Sequence, residues 1–599
     1  MDKLFRNKEK KRIFVTSALP YVNNQPHLGN VIGSLLSADV YARYCRRMGY
    51  ETLFICGTDE YGTATEMEAL KQKCHPLEIV KKNRVKHRQV YDWFGMQFDS
   101  YGNTHCEEHG KLVHEIFLKI IDYFSEKDVT MMYCLKCDQY LADRFLSGTC
   151  ECGGEAHGDQ CDTCGKCYEN ASELRDLKCV ICGNEPGPKT TRHLFLNLDQ
   201  LQKHVKKIDT TEWSENAKQI YQGWIKMDIR PRCMTRSLKH SWGVSVPLKG
   251  YEDKVFYVWF DAPIGYLTYL KAIRPLSWLE GAKWVQFMGK DNVPFHSVMF
   301  PSVLYALKEQ KLRTPEKVKE RKLIERVERA SLKKDELEMI GEMKSQGVMK
   351  SEGQLELDYG YVINATEYLT FNKKKFSKSK NVGIFGLDLV EKDLGDATKW
   401  RFYLLKRRPE TKDADFNTDE FIKIVQNELI ANIGNFINRT LKYVESNNVD
   451  VYRVISKFNR EEETPFARRV IELIDDVNRT NIEYFESMEN ARLRNGLDKV
   501  LEISRIGNKF LQSLQNDKGN MAVGFSFAFC LIKLLAQSFE PFIPDAFVKL
   551  ECLIELDSRF HLKFEEYFTS ESGILLKKKV EIVFNKFTSK QEEELLRYK

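Results

Sequence analysis

No run of about eighteen uninterrupted apolar residues occurs in the 599-residue chain, so no segment reads as a membrane span. The stretch that comes nearest, Phe525 to Phe539, is broken by Lys533. A secretory leader is not legible either: the opening MDKLFRNKEKKR is basic, but no apolar run follows it. With Asp2, Glu9 and no serine, the same stretch fails as an organelle transit peptide, and the cytoplasm, with no membrane partner, is the expected compartment. Excess charge is small: +6 over the whole chain is a slight bias toward polyanions and decides nothing alone. Internal repeats and low-complexity arrays are absent as well.

What is present is a globular balance of 42% hydrophobic and 30% charged residues, in a chain too long for one core, so at least three packed units are expected. Ile13 to Leu19 (IFVTSAL) reads as a buried strand, followed by the turn PYVNNQP and a helical stretch from Val31 to Met48 that Gly49 can stop. A second strand, Thr52 to Gly57, ends in Thr58-Asp59-Glu60 and completes a βαβ unit of the kind that opens a parallel nucleotide-binding sheet. Strand-like FYVWFDAP (Phe256 to Pro263) and WVQFMGKD (Trp284 to Asp291) resume the pattern after a Cys-rich interruption. From Lys308 to about Glu352 the chain is dense in Lys, Arg and Glu, which predicts a solvated helical insertion. From about Asp419 to Phe547 helical periodicity dominates, with Ile422, Val425, Leu429, Ile433 and Phe436 marking the buried stripe of a bundle helix. The expected class is α/β: a Rossmann-like parallel sheet with a Cys-rich insertion, followed by an α-helical bundle.

Two short strings carry the chemistry. His27-Leu28-Gly29-Asn30 lies between the first strand and the first helix, where unpaired helix N–H groups favour a phosphate. Gly29 lets a nucleotide base approach the backbone, and His27 can donate to a phosphate oxygen. Far downstream, Lys375-Phe376-Ser377-Lys378-Ser379 sets two lysines three apart on a polar, glycine-bounded loop suited to a triphosphate. Alone, the first string is as well read as a capped helix start and the second as wet surface. In this order they resemble the HIGH and KMSKS elements of the class I aminoacyl-tRNA synthetases. TSALPYVNNQPHLGN and CGTDEYGTATE resemble the methionyl members of eukaryotic and archaeal type, where Asn30 stands in place of the final histidine.

That resemblance implies methionine, ATP with Mg²⁺, and tRNA(Met) as partners, and a monomer. It implies His27, Asn30, Lys375 and Lys378 as catalytic residues, with Gly29, Gly289, Asp291 and Ser377 completing the ATP site. A methionine site needs an apolar, aromatic slot for the thioether and one carboxylate for the ammonium group. Ala18, Leu19 and Tyr21 end the first strand and Asp59 the second, while Trp259, Ala262, Pro263 and Tyr266 lie in YVWFDAPIGY, a string similar to the family's methionine pocket. In GKDNVPFHSVMFP the resemblance adds Asn292, His296 and Phe300; the bland alternative is that these aromatic residues fill a core. The implied boundaries are a basic tail 1–12, catalytic halves 13–125 and 228–372, a connective insertion 126–227, a KFSKS and stem-contact region 373–418, an anticodon-binding bundle 419–560 and a tail 561–599.

Nine of the 16 cysteines fall between Cys134 and Cys182, in the pairs Cys134/Cys137, Cys150/Cys152, Cys161/Cys164 and Cys179/Cys182, with Cys167 left over. Such spacing can close a tetrahedral structural zinc site, and the lack of a leader argues against disulfides. The family implies one ion held by Cys134, Cys137, Cys179 and Cys182 and another by Cys150, Cys152, Cys161 and Cys164. The short Cys150-x-Cys152 spacing leaves one zinc or two open, and Cys167 is an alternative ligand. On the bundle helix, Asn432, Asn435 and Arg439 share a polar face, and the resemblance implies Asn435 and Arg439 as anticodon readers. After Gly507-Asn508-Lys509-Phe510 the chain reads LQSLQNDKG, without the Pro-Trp pair of many relatives. The rivals are another class I synthetase, for cysteine, valine, leucine or isoleucine, and a catalytically silent tRNA-binding relative. The short Cys-paired insertion argues against the three aliphatic enzymes, which carry a large editing domain.

Overall fold

The first apolar run folds as β1 (Arg12–Ser17), with Ile13 to Ser17 all buried, because helices cover both faces of the sheet it enters. The computed structural model describes residues 11–141, 145–158, 160–161, 168, 173–227, 229–313, 360–376, 382–515, 517–557, 560–569 and 576–598. With β2 (Glu51–Thr58), β3 (Ser100–Asn103), β4 (Lys283–Gly289) and β5 (Tyr361–Thr366), β1 forms a parallel five-stranded sheet in the order β5-β4-β1-β2-β3. The chain leaves β1 toward β2 and β3, then returns to its other side with β4 and β5. The strand order therefore reverses beside β1, and a crevice at the carboxyl ends there is the expected ligand position.

A helical run over 28–47 follows β1, with a π-helical turn at Val31–Leu35. One expectation is corrected: FYVWFDAP is not a strand. Only Val255–Phe256 pairs in a sheet, and Val258–Asp261 is helical, followed by a 3-10 turn at Ala262–Ile264 and a helix at Gly265–Lys271. The run is apolar without alternation, so periodicity does not separate strand from helix, and Pro263, with its fixed φ, suits the start of a helical turn.

Long antiparallel strands, Phe124–Cys134 and Gly187–Leu196, pair over ten residues and carry the Cys-rich insertion away from the sheet. Of the charged stretch expected at 308–352, the helix Phe300–Arg313 contains the start; 314–359 lie outside the described residues. Helices over 418–446, then Pro465–Glu489, Leu493–Ser513 and Met521–Phe539, form the bundle. Val425, Leu429, Ile433 and Phe436 are buried along the first of these. The segment Lys518–Phe539 is long and apolar enough to cross a bilayer, but it is 89% buried inside the bundle, with Lys533 paired to Asp557 at 2.9 Å.

The helix after β1 also ties the sheet to the bundle. Arg401 donates to Asp39 on that helix and to the carbonyls of Phe94, Pro541 and Phe542, all buried, while Arg43 shares Asp39 at 2.9 Å. One turn on, Tyr44 and Tyr50 donate to Glu489, which also accepts from Lys11. Residues 576–598 return across the bundle, where Phe587 meets Phe421 edge-on at 5.4 Å and Gln591 donates to Asp393.

Candidate functional site

At the carboxyl end of β1 the turn leads into His27, and His27 and Asn30 cap each other. The Asn30 N–H donates to His27 Nδ1 at 3.3 Å, and the His27 N–H donates to Asn30 Oδ1 at 3.1 Å. Since Nδ1 accepts, the ring proton sits on Nε2 and remains free to be donated. Burial holds the imidazole down to about 4, so it is neutral near pH 7. Gly29 is required by proximity: a Cβ there would lie 2.9 Å from His27 Cε1. Phe376 stacks flat on the His27 ring, with centroids 4.6 Å apart and planes at 2°. The two distant strings therefore meet. Lys375 is exposed beside this stack, whereas Ser377, Lys378 and Ser379 lie outside the described residues.

The strand ends supply the other wall. Tyr21 and Asp59 are bridged as parallel partners, and the Asp59 N–H donates to Pro20 O. Asp59 is 3% exposed, and its Oδ1 has no hydrogen-bond partner. Burial first, then the nearby Asp261 charge, push its carboxyl well above the usual range. Tyr21 meets the half-buried Trp259 edge-on at 6.5 Å, and Phe295 stacks on Trp259 at 3.5 Å. Ala18, Ala262, Pro263, Tyr266 and Phe300 are buried and Leu19 is half-buried. Tyr266 Oη and His296 Nε2 are 2.9 Å apart, and His296 Nδ1 lies 2.9 Å from the Asn292 carbonyl. A carbonyl only accepts, so His296 carries its proton on Nδ1 and takes one from Tyr266; burial holds this imidazole down to about 4 as well. Phe300 packs edge-on against Tyr266 and Trp284. Gly289 ends β4, and exposed Asp291 accepts from Tyr368 Oη at 2.5 Å.

Several residues here were not singled out from sequence. Phe376 sits inside the lysine string, and a single aromatic residue among lysines gives no signal of its own. Phe295 and Asp261 each neighbour a predicted residue, and only Asp261, a charge in an apolar run, carried a signal. His109, on the helix Glu107–Ile120, had none. A cavity of about 210 Å³ lies at the opposite, amino end of β5, between Tyr305 and Tyr361, and none of the predicted residues lines it.

In the insertion the sulfurs of Cys134, Cys137, Cys179 and Cys182 lie within 4.8 Å of one another. Cys134 and Cys182 are 3.5 Å apart and Cys137 and Cys179 are 3.9 Å apart, close to the roughly 3.8 Å of four sulfurs at about 2.3 Å from one tetrahedral zinc. Cys150, Cys152 and Cys161 form a second group, with Cys152 and Cys161 3.7 Å apart; Cys164 and Cys167 lie outside the described residues. The donor sets suit zinc, and none of the described cysteines is joined in a disulfide. On the bundle, Asn435 and Arg439 are both exposed on the helix Asn435–Ser446. Asn432 is occupied structurally: its amide donates to Leu501 O, and Asn508 donates to it in turn.

Comparison with known proteins agrees with this arrangement. Residues 13–333 and 349–441 match the family described as tRNA synthetases class I (M), and 462–598 match the anticodon binding domain of methionyl tRNA ligase. The chain is 43% identical over 598 residues to the probable cytoplasmic methionine–tRNA ligase of Encephalitozoon cuniculi, covering 98% of each. It is 40% identical over 580 residues to the cytoplasmic methionine–tRNA ligase of Arabidopsis thaliana, covering 93% of this chain and 66% of that one. Its fold is similar to that of the Mycobacterium tuberculosis methionyl-tRNA synthetase solved with methionyl-adenylate, with a TM-score of 0.66 at 16% identity, covering 91% and 94% of the two chains.

Proposed function

The chain belongs to the methionyl class I tRNA synthetases, and from that premise we propose how its own residues divide the work. The activity is that of a cytoplasmic methionine–tRNA ligase: ATP-dependent activation of L-methionine to methionyl adenylate, then transfer to the 3′-terminal adenosine of tRNA(Met). The observation that carries the residue assignment is the flat stack of Phe376 on His27, which sets the start of the KFSKS loop over the HLGN turn.

Asp59 takes the methionine ammonium group with the carboxylate oxygen that has no other partner. The thioether lies among Ala18, Leu19, Tyr21, Trp259, Ala262, Pro263, Tyr266 and Phe300, with Asn292 and His296 at its end. A neutral His296 that accepts from Tyr266 presents no charge to sulfur, which suits an apolar side chain. Gly289 and Asp291 meet the ribose. His27 donates from Nε2, and Asn30, whose Oδ1 is engaged by the His27 backbone, donates from its amide nitrogen, both to phosphate oxygens. Lys375, Ser377 and Lys378 hold the β- and γ-phosphates.

The methionine carboxylate attacks the α-phosphorus and the bond to the β-phosphate oxygen breaks, releasing pyrophosphate. The adenosine hydroxyl of tRNA then attacks the methionyl carbonyl and AMP leaves. Positioning and charge stabilisation carry the first step, and no protein nucleophile is needed. Mg²⁺, arriving with ATP, supplies neutralisation of the phosphate charge. Zinc, as one ion on Cys134, Cys137, Cys179 and Cys182 or as two with the second on Cys150, Cys152, Cys161 and Cys164, would supply shape only, since four thiolates leave no open position. Asn435 and Arg439 read the anticodon, and the protein works as a monomer.

The test is Lys378→Ala in single-turnover adenylation. The rate of adenylate formation should fall by about 100-fold or more while methionine affinity stays within about twofold. Equal losses in both would overturn the assignment.

A further inference from the structure

Behind Asp59 lies a second buried acid. Asp261, fully buried, faces His109, also fully buried, with Oδ2 and Nε2 3.3 Å apart. The other ring nitrogen, Nδ1, lies 3.1 Å from Thr268 Oγ1, a hydroxyl that also lies 3.3 Å from the Ile264 carbonyl. With the hydroxyl proton on that carbonyl, Thr268 accepts from Nδ1–H, and an Asp261 carboxylate accepts from Nε2–H. A ring protonated on both nitrogens satisfies both contacts.

Charge balance points the same way. Oδ1 of Asp59 and Oδ1 of Asp261 both lack partners in the interior, and two neighbouring buried carboxylates do not both ionise without a cation. Of the other groups around them, Glu60 is matched by Arg84 at 2.5 Å. The phenols of Tyr61, Tyr266 and Tyr269 and the thiols of Cys56 and Cys106 are pushed up by burial and stay neutral. Among the described residues around this pair, His109 is the basic side chain that faces Asp261.

We propose that His109 is a positioning residue for methionine activation: as an imidazolium paired with Asp261, it leaves Asp59 as the carboxylate that receives the substrate ammonium group. The inference rests on Asp59 being that receiver. His109 touches neither methionine nor ATP; it fixes which of the two acids carries the free charge. In His109→Gln the amide still donates to Asp261 but brings no charge. The pair then takes up a proton from solvent, and it settles on Asp59, because Asp261 keeps the amide donor.

The experiment is methionine-dependent exchange of pyrophosphate into ATP, with the full chain, across about pH 6.5 to 8.5. His109→Gln should raise the methionine KM by about tenfold at the acid end, with the gap closing as pH rises and the extra proton is lost, and with the ATP KM within about twofold. Adding Asp261→Asn removes the competing acid and should return the methionine KM to within about threefold of the parent at every pH. A pH-independent rise that the double variant does not relieve would mark a purely structural role and overturn the proposal, as would no rise at all. Asp59→Asn separates the two readings: if it leaves the methionine KM unchanged, the assignment of Asp59 itself fails. If it raises that KM while His109→Gln does not, only the present inference fails.

Discussion

Replacing Asp59 with asparagine keeps the shape of the strand end and removes one charge from a position that is 3% exposed. Losing one partner of a buried, hydrogen-bonded charge pair costs about 2 to 5 kcal/mol. The lower part of that range applies, because the amide oxygen still accepts a hydrogen bond and because burial and Asp261 already oppose ionisation of Asp59. About 2 to 3 kcal/mol corresponds to a rise of roughly 30- to 150-fold in the methionine dissociation constant. The assay is pyrophosphate exchange with methionine titrated, alongside inhibition by an analogue that lacks the amino group. The analogue should bind parent and variant alike, since it brings no ammonium group. A methionine KM within about twofold of the parent, or an analogue weakened as much as methionine, would refute the reasoning.

Arg401→Met leaves Asp39 with Arg43 and the Gln97 N–H as partners and strands three backbone carbonyls, so it should destabilise the sheet–bundle junction by about 3 kcal/mol, read as a lower denaturant midpoint. Arg439→Ala should raise the tRNA KM by about tenfold or more while exchange without tRNA is unchanged; equal loss in both would remove Arg439 from the tRNA side. Cys137→Ser should release zinc from the first cysteine group and lower the melting temperature, whereas unchanged zinc content by metal analysis would contradict the ligand set.

Much of the catalytic half was legible because its signals are local. β1 and β2 are short apolar runs bounded by turn residues, and the HLGN string falls where the first helix must begin. The error at FYVWFDAP arose because an apolar run with no alternating polar residues has no period to read. Long-range pairings left no trace in sequence: nothing near His109 announces Asp261, 152 positions away, and nothing near Arg401 announces Asp39. The polar face of Asn432, Asn435 and Arg439 was correctly placed as a face, yet Asn432 turned out to hold Leu501 and Asn508, a role that depends on a neighbouring helix. The cysteine pairs were informative at any distance because thiol spacing restricts the chemistry before the fold is known.

The central claim is that a thioether slot and two phosphate-gripping strings share one crevice beside β1. Amino-acid-dependent exchange of pyrophosphate into ATP, run side by side with methionine, cysteine, valine, leucine and isoleucine, tests it most directly. Methionine should support exchange far above the other four. A methionine signal no higher than theirs, or no exchange with any of the five, would contradict the account.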